Sequence, residues 1–128
     1  QVPTRRTAIR LLSFGFKKGL PVDADVILDA RFLPNPYYVE NLKKLTGKDE
    51  PVQAYLQKSK DFRDFLDRAE SWLRWSLPLV MAEGRAYHTL AIGCTGGQHR
   101  SVALVEMLGA RLVNDVADLV IKHRDMKA

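Results

Sequence analysis

The sequence predicts a three-layer α/β domain built on a largely parallel sheet, and three observations carry that prediction. Short apolar runs alternate with stretches whose apolar residues recur at helical spacing, in the order strand, strand, three helices, strand, helix, strand. The run Tyr87 to Ile92 ends in continuous apolar residues, as strands buried on both faces of a parallel sheet do. A glycine-rich loop follows it and leads into an almost wholly apolar helical segment, the connection that open α/β sheets place beside their ligands. At 128 residues, 46% hydrophobic and 27% charged, residues 1–128 have the size and composition of a single domain with one core.

Each element has its own local reason. Ala8 to Phe14 (AIRLLSF) is dense in strand-compatible residues, and Gly15, Gly19 and Pro21 break the run into a loop. Asp25 to Asp29 is a short apolar run bounded by acids, a second strand. After the stiff turn LPNP at 33–36, Asn35 and Pro36 suit an N-cap and a first helical position, and Tyr38, Leu42 and Leu45 continue that helix until Thr46 and Gly47. A short helix is expected from about Glu50 to Lys58. From Asp61 onward Phe62, Phe65, Leu66, Ala69, Trp72, Leu73 and Leu77 form one stripe, with Asp64, Asp67, Arg68, Glu70 and Arg74 mainly opposite; Pro78 is expected to kink or end this helix. Trp72 and Trp75 read as core and rim packing rather than as a base-stacking surface. Ser101 to Val113 is expected to be a buried helix with Gly109 permitting close packing, and Ala117 to Ile121 a last strand before the basic triplet Lys122, His123, Arg124.

Charge and composition narrow the function classes. The net charge is +5, and it resides at the amino end, where Arg5, Arg6, Arg10, Lys17 and Lys18 stand without an acid while the rest of the chain balances. Such a cluster either attracts phosphate groups or an acidic partner, or is a solvated arm. No apolar run is long enough for a membrane span and no signal-peptide pattern opens the chain, so a cytoplasmic protein with no membrane partner is expected. The single cysteine, Cys94, fits a reducing compartment. No metal site is expected, because His88, His99 and His123 lie far apart in sequence with no cysteine pair.

The chemistry is concentrated between Gly93 and Ser101. Gly93, Gly96 and Gly97 let the backbone turn with its amides inward, and the helix starting near Ser101 offers unpaired N–H groups and the positive end of its dipole. An anion suits that place, with Cys94, Thr95, Gly96, Gly97 and Gln98 forming the cradle. Arg100 adds a bidentate fork, Ser101 a hydroxyl and His99 a donor whose charge depends on pH. The bland alternative is a tight turn with Arg100 in a structural ion pair. The loop is neither a Walker A sequence nor a dinucleotide fingerprint. Cys94, five residues, Arg100 and Ser101 do match the spacing of the phosphate loop in cysteine-dependent phosphatases, where a thiolate attacks phosphorus. Gly93 stands where those enzymes usually carry histidine and no general-acid segment is evident, although Asp23, Asp25 and Asp29 are available carboxylates. Cys94 is expected to be a small apolar residue closing a buried strand, and no catalytic residue is assigned.

Three longer segments carry a family resemblance: SFGFKKGLPVDADVILDARFLPNP at 13–36, TGKDEPV at 46–52 and GCTGGQHRSV at 93–102. Together they resemble the carboxy-terminal domain of the RapZ family, the bacterial RNase adaptor proteins also called YvcJ-like. The resemblance implies an α/β domain whose pocket recognises small phosphorylated metabolites. In enteric members the corresponding domain binds glucosamine-6-phosphate and a regulatory small RNA. It also implies that ATP or GTP belongs to an amino-terminal P-loop domain absent from these residues, so no cofactor is expected here. Gln98 stands where enteric sequences have lysine, and the tail HRDMKA is shorter and less basic than theirs.

On that basis the chain is expected to be a regulatory binding module for a phosphorylated sugar or similar anion, with small RNA, an RNase and a second copy of the chain as candidate partners. Lys17 and Lys18 either steer the anion or are merely solvated. Asp29 is the acid placed to hold sugar hydroxyls with Arg31 orienting it, or the two form a structural ion pair. His123 and Arg124 are expected to close the rim. RNA binding through Arg5, Arg6, Arg10, Lys18, Lys122 and Arg124 is expected to be weak and salt-sensitive, made through phosphates, because no exposed aromatic interleaves these clusters.

Overall fold

The computed structural model describes residues 7–127. Four strands, β1 (Ala8–Gly15), β2 (Val26–Asp29), β3 (Tyr87–Cys94) and β4 (Leu119–His123), alternate with three helices, α1 (Glu50–Gln57), α2 (Lys60–Ala82) and α3 (Arg100–Leu112). The sheet order is β2-β3-β1-β4 and every pairing is parallel, with Leu11 opposite both Leu90 and Ile121. The α/β class and the parallel sheet match the sequence reading.

The expected third layer does not form among the described residues. Ile9, Leu11, Leu90 and Ile92 share one face of the sheet, and residues of all three helices join them in a single buried cluster. The other face carries Arg10, Leu12, Ile27, Val120 and Lys122, and Ile27 and Val120 stay exposed. Chain direction explains the asymmetry. The connections β2 to β3 and β3 to β4 both move the same way across the sheet, so right-handed crossovers put their helices on the same side. The one connection that runs back, β1 to β2, carries only a 3-10 turn at Phe16–Lys18 and a loop, so it lays no helix on the opposite face.

Two helix boundaries depart from the sequence reading. Residues 36–45 are not a helix. Asn35 accepts a hydrogen bond from Tyr37 N at 3.1 Å and starts a 3-10 turn at Pro36–Tyr38, but Val39 is extended (φ −104°, ψ 116°) and the chain continues as separate turns. What looked like helical spacing is Leu42 buried in the core and Leu45 half-buried against it, both carried by a loop. Pro78, by contrast, does not end α2, which is capped by Ser59 accepting from Phe62 N and continues to Ala82. A mid-helix proline costs about 3 kcal/mol. Leu73, Ser76 and Val80 are buried on both sides of it, and that packing overrides the local penalty.

Gly109 serves the close approach expected of it, since a Cβ there would run into the Ile121 side chain on β4. Trp72 and Trp75 do not pack in the core: they are 46% and 62% exposed on the outer side of α2. Among the described residues no helix is long and apolar enough to cross a membrane.

Candidate functional site

At the carboxyl end of the sheet, β3 delivers Cys94, residues 95–99 turn, and α3 begins at Arg100. Two backbone segments meet there. Gly97 has φ +75°, and a Cβ on it would lie 2.7 Å from Gly15 N and 3.0 Å from Asp125 Cβ. Lys17 N donates to Thr95 O at 3.1 Å, so the end of β1 is tied to the loop. Around this junction opens a cleft of about 1030 Å³, walled by Lys17, Lys18, Tyr37, Tyr38, the 94–100 loop and the tail residues Arg124 to Lys127. Its lining is rich in cations, and among the described residues Asp125 is its one acid.

Arg100 is 4% exposed, and its guanidinium reaches inward. Nη1 donates to Arg31 O at 2.7 Å and to Leu33 O at 3.1 Å, and Nη2 approaches Thr95 Oγ1 at 3.4 Å. Part of the expected fork therefore pins the segment after β2 to the loop. Nε has no partner, and among the described residues no carboxylate forms an ion pair with this buried charge. Cys94 is buried, with Sγ 3.2 Å from Ser101 Oγ. His99 is 5% exposed with Nε2 unpartnered.

Gln98 does what no local pattern foretold. Its Nε2 donates to Asp125 O at 2.7 Å and to Gly96 O at 3.2 Å, and its Oε1 accepts from Lys127 N at 3.0 Å, so the side chain pairs with the tail at two points. Asp125 was missed altogether. Its Oδ2 accepts from Gly15 N at 2.8 Å across 110 positions of sequence, a separation that leaves no local signal. Burial pushes the Asp125 carboxyl up, but hydrogen bonds from Arg124 and Gly15 N, with the charges of Arg124 and Lys18, hold it below the ordinary carboxylate range.

Other expected site residues lie apart from the cleft wall. Asp29 and Arg31 form a bidentate pair (Nε to Oδ1 3.0 Å, Nη2 to Oδ2 2.8 Å) and the guanidinium stacks 3.8 Å from the Phe16 ring, so both carboxylate oxygens are engaged. His123 does not close the rim. Its Nδ1 meets Ser13 Oγ at 2.7 Å and its Nε2 meets Glu106 Oε2 at 2.7 Å, a polar link between β1, β4 and α3. Arg124 does reach the rim, where Nη2 donates to Gly19 O at 2.6 Å.

The cations expected to touch RNA divide between two places. Lys18 and Arg124 line the cleft, whereas Arg10 and Lys122 share the open sheet face; Arg5 and Arg6 lie outside the described residues. Exposed aromatics do accompany them, contrary to the sequence reading. Arg10 sits 3.8 Å from the centre of the half-exposed Tyr87 ring, and Tyr38 is exposed beside Lys17 and Lys18. A second cavity, of about 520 Å³ and mostly apolar, lies at the opposite end of β1 beside Thr7, Ile9, Leu77 and Met81, away from every expected site residue. Among the described residues no group of His, Cys, Asp and Glu side chains is arranged to hold a metal ion.

Burial lowers the His99 pKa below the ordinary 6.5, although the carbonyls of Leu45, Lys43 and Leu42 favour the charged ring, and burial likewise lowers that of His88 despite the nearby Asp25. Both rings bind protons more readily in the unfolded chain. Their contribution to stability is therefore complete above pH 6.5 and is lost as the pH falls from there through the lowered folded values. The urea midpoint is expected to drop between about pH 7 and pH 5, and less steeply in His99→Gln. A midpoint equally pH-dependent in that variant would remove His99 from the account.

The whole described chain matches one family model. Residues 7–127 fit the RapZ C-terminal domain. This chain belongs to that family. It is 48% identical over 119 residues to a nucleotide-binding protein of Listeria monocytogenes, a match covering 93% of the chain and 40% of that relative. It is 49% identical over 124 residues to a nucleotide-binding protein of Thermobifida fusca, covering 95% and 42% respectively. A nucleotide-binding protein of Lactiplantibacillus plantarum is 50% identical over 119 residues. The RapZ C-terminal domain thus spans about 40% of the length of these relatives.

Proposed function

We propose that this RapZ C-terminal domain is a regulatory binding module whose cleft takes a small phosphorylated metabolite of the amino-sugar phosphate class. The observation that carries the reading is Arg100: a buried guanidinium with an unpartnered Nε and, among the described residues, no carboxylate at ion-pair distance, standing as the first residue of α3 directly after the glycine turn. Buried charges are paired, and an anion in the cleft is the missing partner. Lys17, Lys18, Arg124 and Lys127 raise its local concentration, and Thr95 adds a hydroxyl. Small RNA, in this reading, makes weak phosphate contacts through Lys18 and Arg124 at the cleft and through Arg10 and Lys122 on the open sheet face. An RNase is the protein partner of this adaptor in the same reading, and the nucleotide binding named for the relatives is assigned to the part of them outside the matched region.

Titration calorimetry with glucosamine-6-phosphate and with inorganic phosphate tests the cleft. Saturable binding of both is expected, tighter for the sugar phosphate. Asp125→Asn keeps an acceptor for Gly15 N but removes the one negative charge of the lining, so it is expected to tighten phosphate binding by about three- to tenfold. No heat with either ligand, or an Asp125→Asn variant that binds phosphate more weakly, would refute the reading. One observation favours a second reading: Cys94 Sγ lies 3.2 Å from Ser101 Oγ at the start of the same helix, an arrangement suited to a thiolate nucleophile. Aryl phosphate hydrolysis that disappears in Cys94→Ser would establish it; none is expected, because Arg100 Nη1 is committed to two carbonyls.

A further inference from the structure

The anion reading leaves the cavity of about 520 Å³ at the start of β1 without a use. That volume suits a small molecule. Its lining includes the buried Thr7, Ile9 and Leu112 and, from α2, the more open Leu77, Pro78 and Met81. Pro78 has no N–H, so Arg74 O, four residues earlier, lacks the donor that a helix would otherwise give it. Arg74 and Pro78 both line the cavity, which puts that free carbonyl at its edge.

The polar side chains of the lining have their donors engaged. Arg74 uses all three guanidinium nitrogens: Nε donates to Glu70 Oε2 at 2.9 Å, Nη1 to Asp115 Oδ2 at 2.9 Å and Nη2 to Arg111 O at 3.0 Å. Thr7 Oγ1 donates to Arg85 O at 2.8 Å. Asp115 keeps Oδ1 without a partner among the described residues. The ion-pair network at this mouth sets Arg74 and Arg111 against Asp67, Glu70 and Asp115, one acid in excess, in a chain whose net charge is +5. An apolar body carrying a cationic donor complements such a lining. We propose that the cavity binds a small apolar amine, with its hydrocarbon against Ile9, Leu77, Met81 and Leu112 and its ammonium group on Arg74 O and Asp115. An ammonium brings three donors and a positive charge, which answer both acceptors at once. The helix-breaking proline then has a use, because it frees a carbonyl for the ligand. The cavity shares no lining residue with the anion cleft, so phosphate binding serves as an unaffected control.

Methyl-detected NMR titrations with phenylbutylamine and with phenylbutyrate test the assignment. The two probes share a body and carry opposite charges at neutral pH. Saturable shifts of the Leu77, Met81 and Leu112 methyls are expected with the amine and not with the acid, although the net positive charge of the chain attracts the acid. Asp115→Asn is expected to weaken amine binding by about three- to tenfold. Pro78→Ala returns an N–H to Arg74 O and is expected to weaken it by a similar factor while raising the urea midpoint, so lost binding there is not lost folding. Repeating the titration on a chain shortened to begin at Thr7 tells the amine apart from residues 1–6 as occupant. Lining shifts as large with the acid, no shifts with either probe, a Pro78→Ala variant that binds the amine undiminished, or amine binding that appears only once residues 1–6 are removed would overturn the proposal, the last by giving the cavity to that segment.

Discussion

Replacing Gly97 with alanine is expected to destabilise the domain by about 2–4 kcal/mol and to cost the cleft at least about tenfold in phosphate affinity. The left-handed backbone at φ +75° is worth about 1–2 kcal/mol against an L residue. The rest comes from crowding. The new Cβ would stand 2.7 Å from Gly15 N, and neither neighbour is free to retreat: Gly15 N donates to Asp125, and Lys17 N holds Thr95 O. Gly96→Ala is the matched control, because a Cβ at Gly96 meets nothing within 4 Å and its φ is not positive. Urea unfolding and calorimetry of the two variants should differ sharply. Equal stability of Gly97→Ala and Gly96→Ala would show that the loop is not held in the conformation described.

Arg100→Ala is expected to cost stability as well as binding. The substitution strands Arg31 O and Leu33 O, two acceptors held at 2.7 and 3.1 Å, and opens a hole where the buried guanidinium stood. Leaving the buried Leu33 O unsatisfied costs about 1–3 kcal/mol and the half-buried Arg31 O less, so with the hole about 3 kcal/mol in total is expected. An arginine serving only as a ligand contact would show the opposite pattern, lost affinity with an unchanged or improved urea midpoint. Arg100→Lys keeps the charge but not the geometry of a fork that spans two carbonyls, and it is expected to recover part of the phosphate affinity and little of the stability. Unchanged unfolding free energy in Arg100→Ala would refute the pinning role.

Local regularities were legible in the sequence. The strand runs at 8–14 and 87–92, the turn glycines Gly96 and Gly97, the long amphipathic helix and the apolar helix after the loop each announce themselves within a window of a few residues, because period and turn chemistry act locally, whereas Gly93, read as a third turn glycine, lies within β3 against the Phe14 ring. The family resemblance rested on the same contiguous segments. The parallel sheet was legible, the order of strands within it was not, and the layer count was misread: the sequence shows that helices alternate with strands, but which side of the sheet they occupy depends on the direction in which each connection crosses it. Pro78 shows the same limit from the other side, since a local helix breaker was outweighed by buried neighbours.

In the cleft, the sequence by itself determined that a glycine turn with Cys94, Thr95 and Arg100 stands at the end of a buried strand, because those residues are consecutive. Only the tertiary structure decided what surrounds it. The parallel register of β4 on β1 brings Asp125 to Gly15 and the tail to Gln98, removes His123 into a link with Ser13 and Glu106, and leaves Arg10 and Lys122 on the open sheet face. The two-residue period of a strand sends neighbours to opposite faces, so one position of register separates a rim residue from a buried one. That register is set by which apolar side chains meet in the core, a property of the folded chain as a whole.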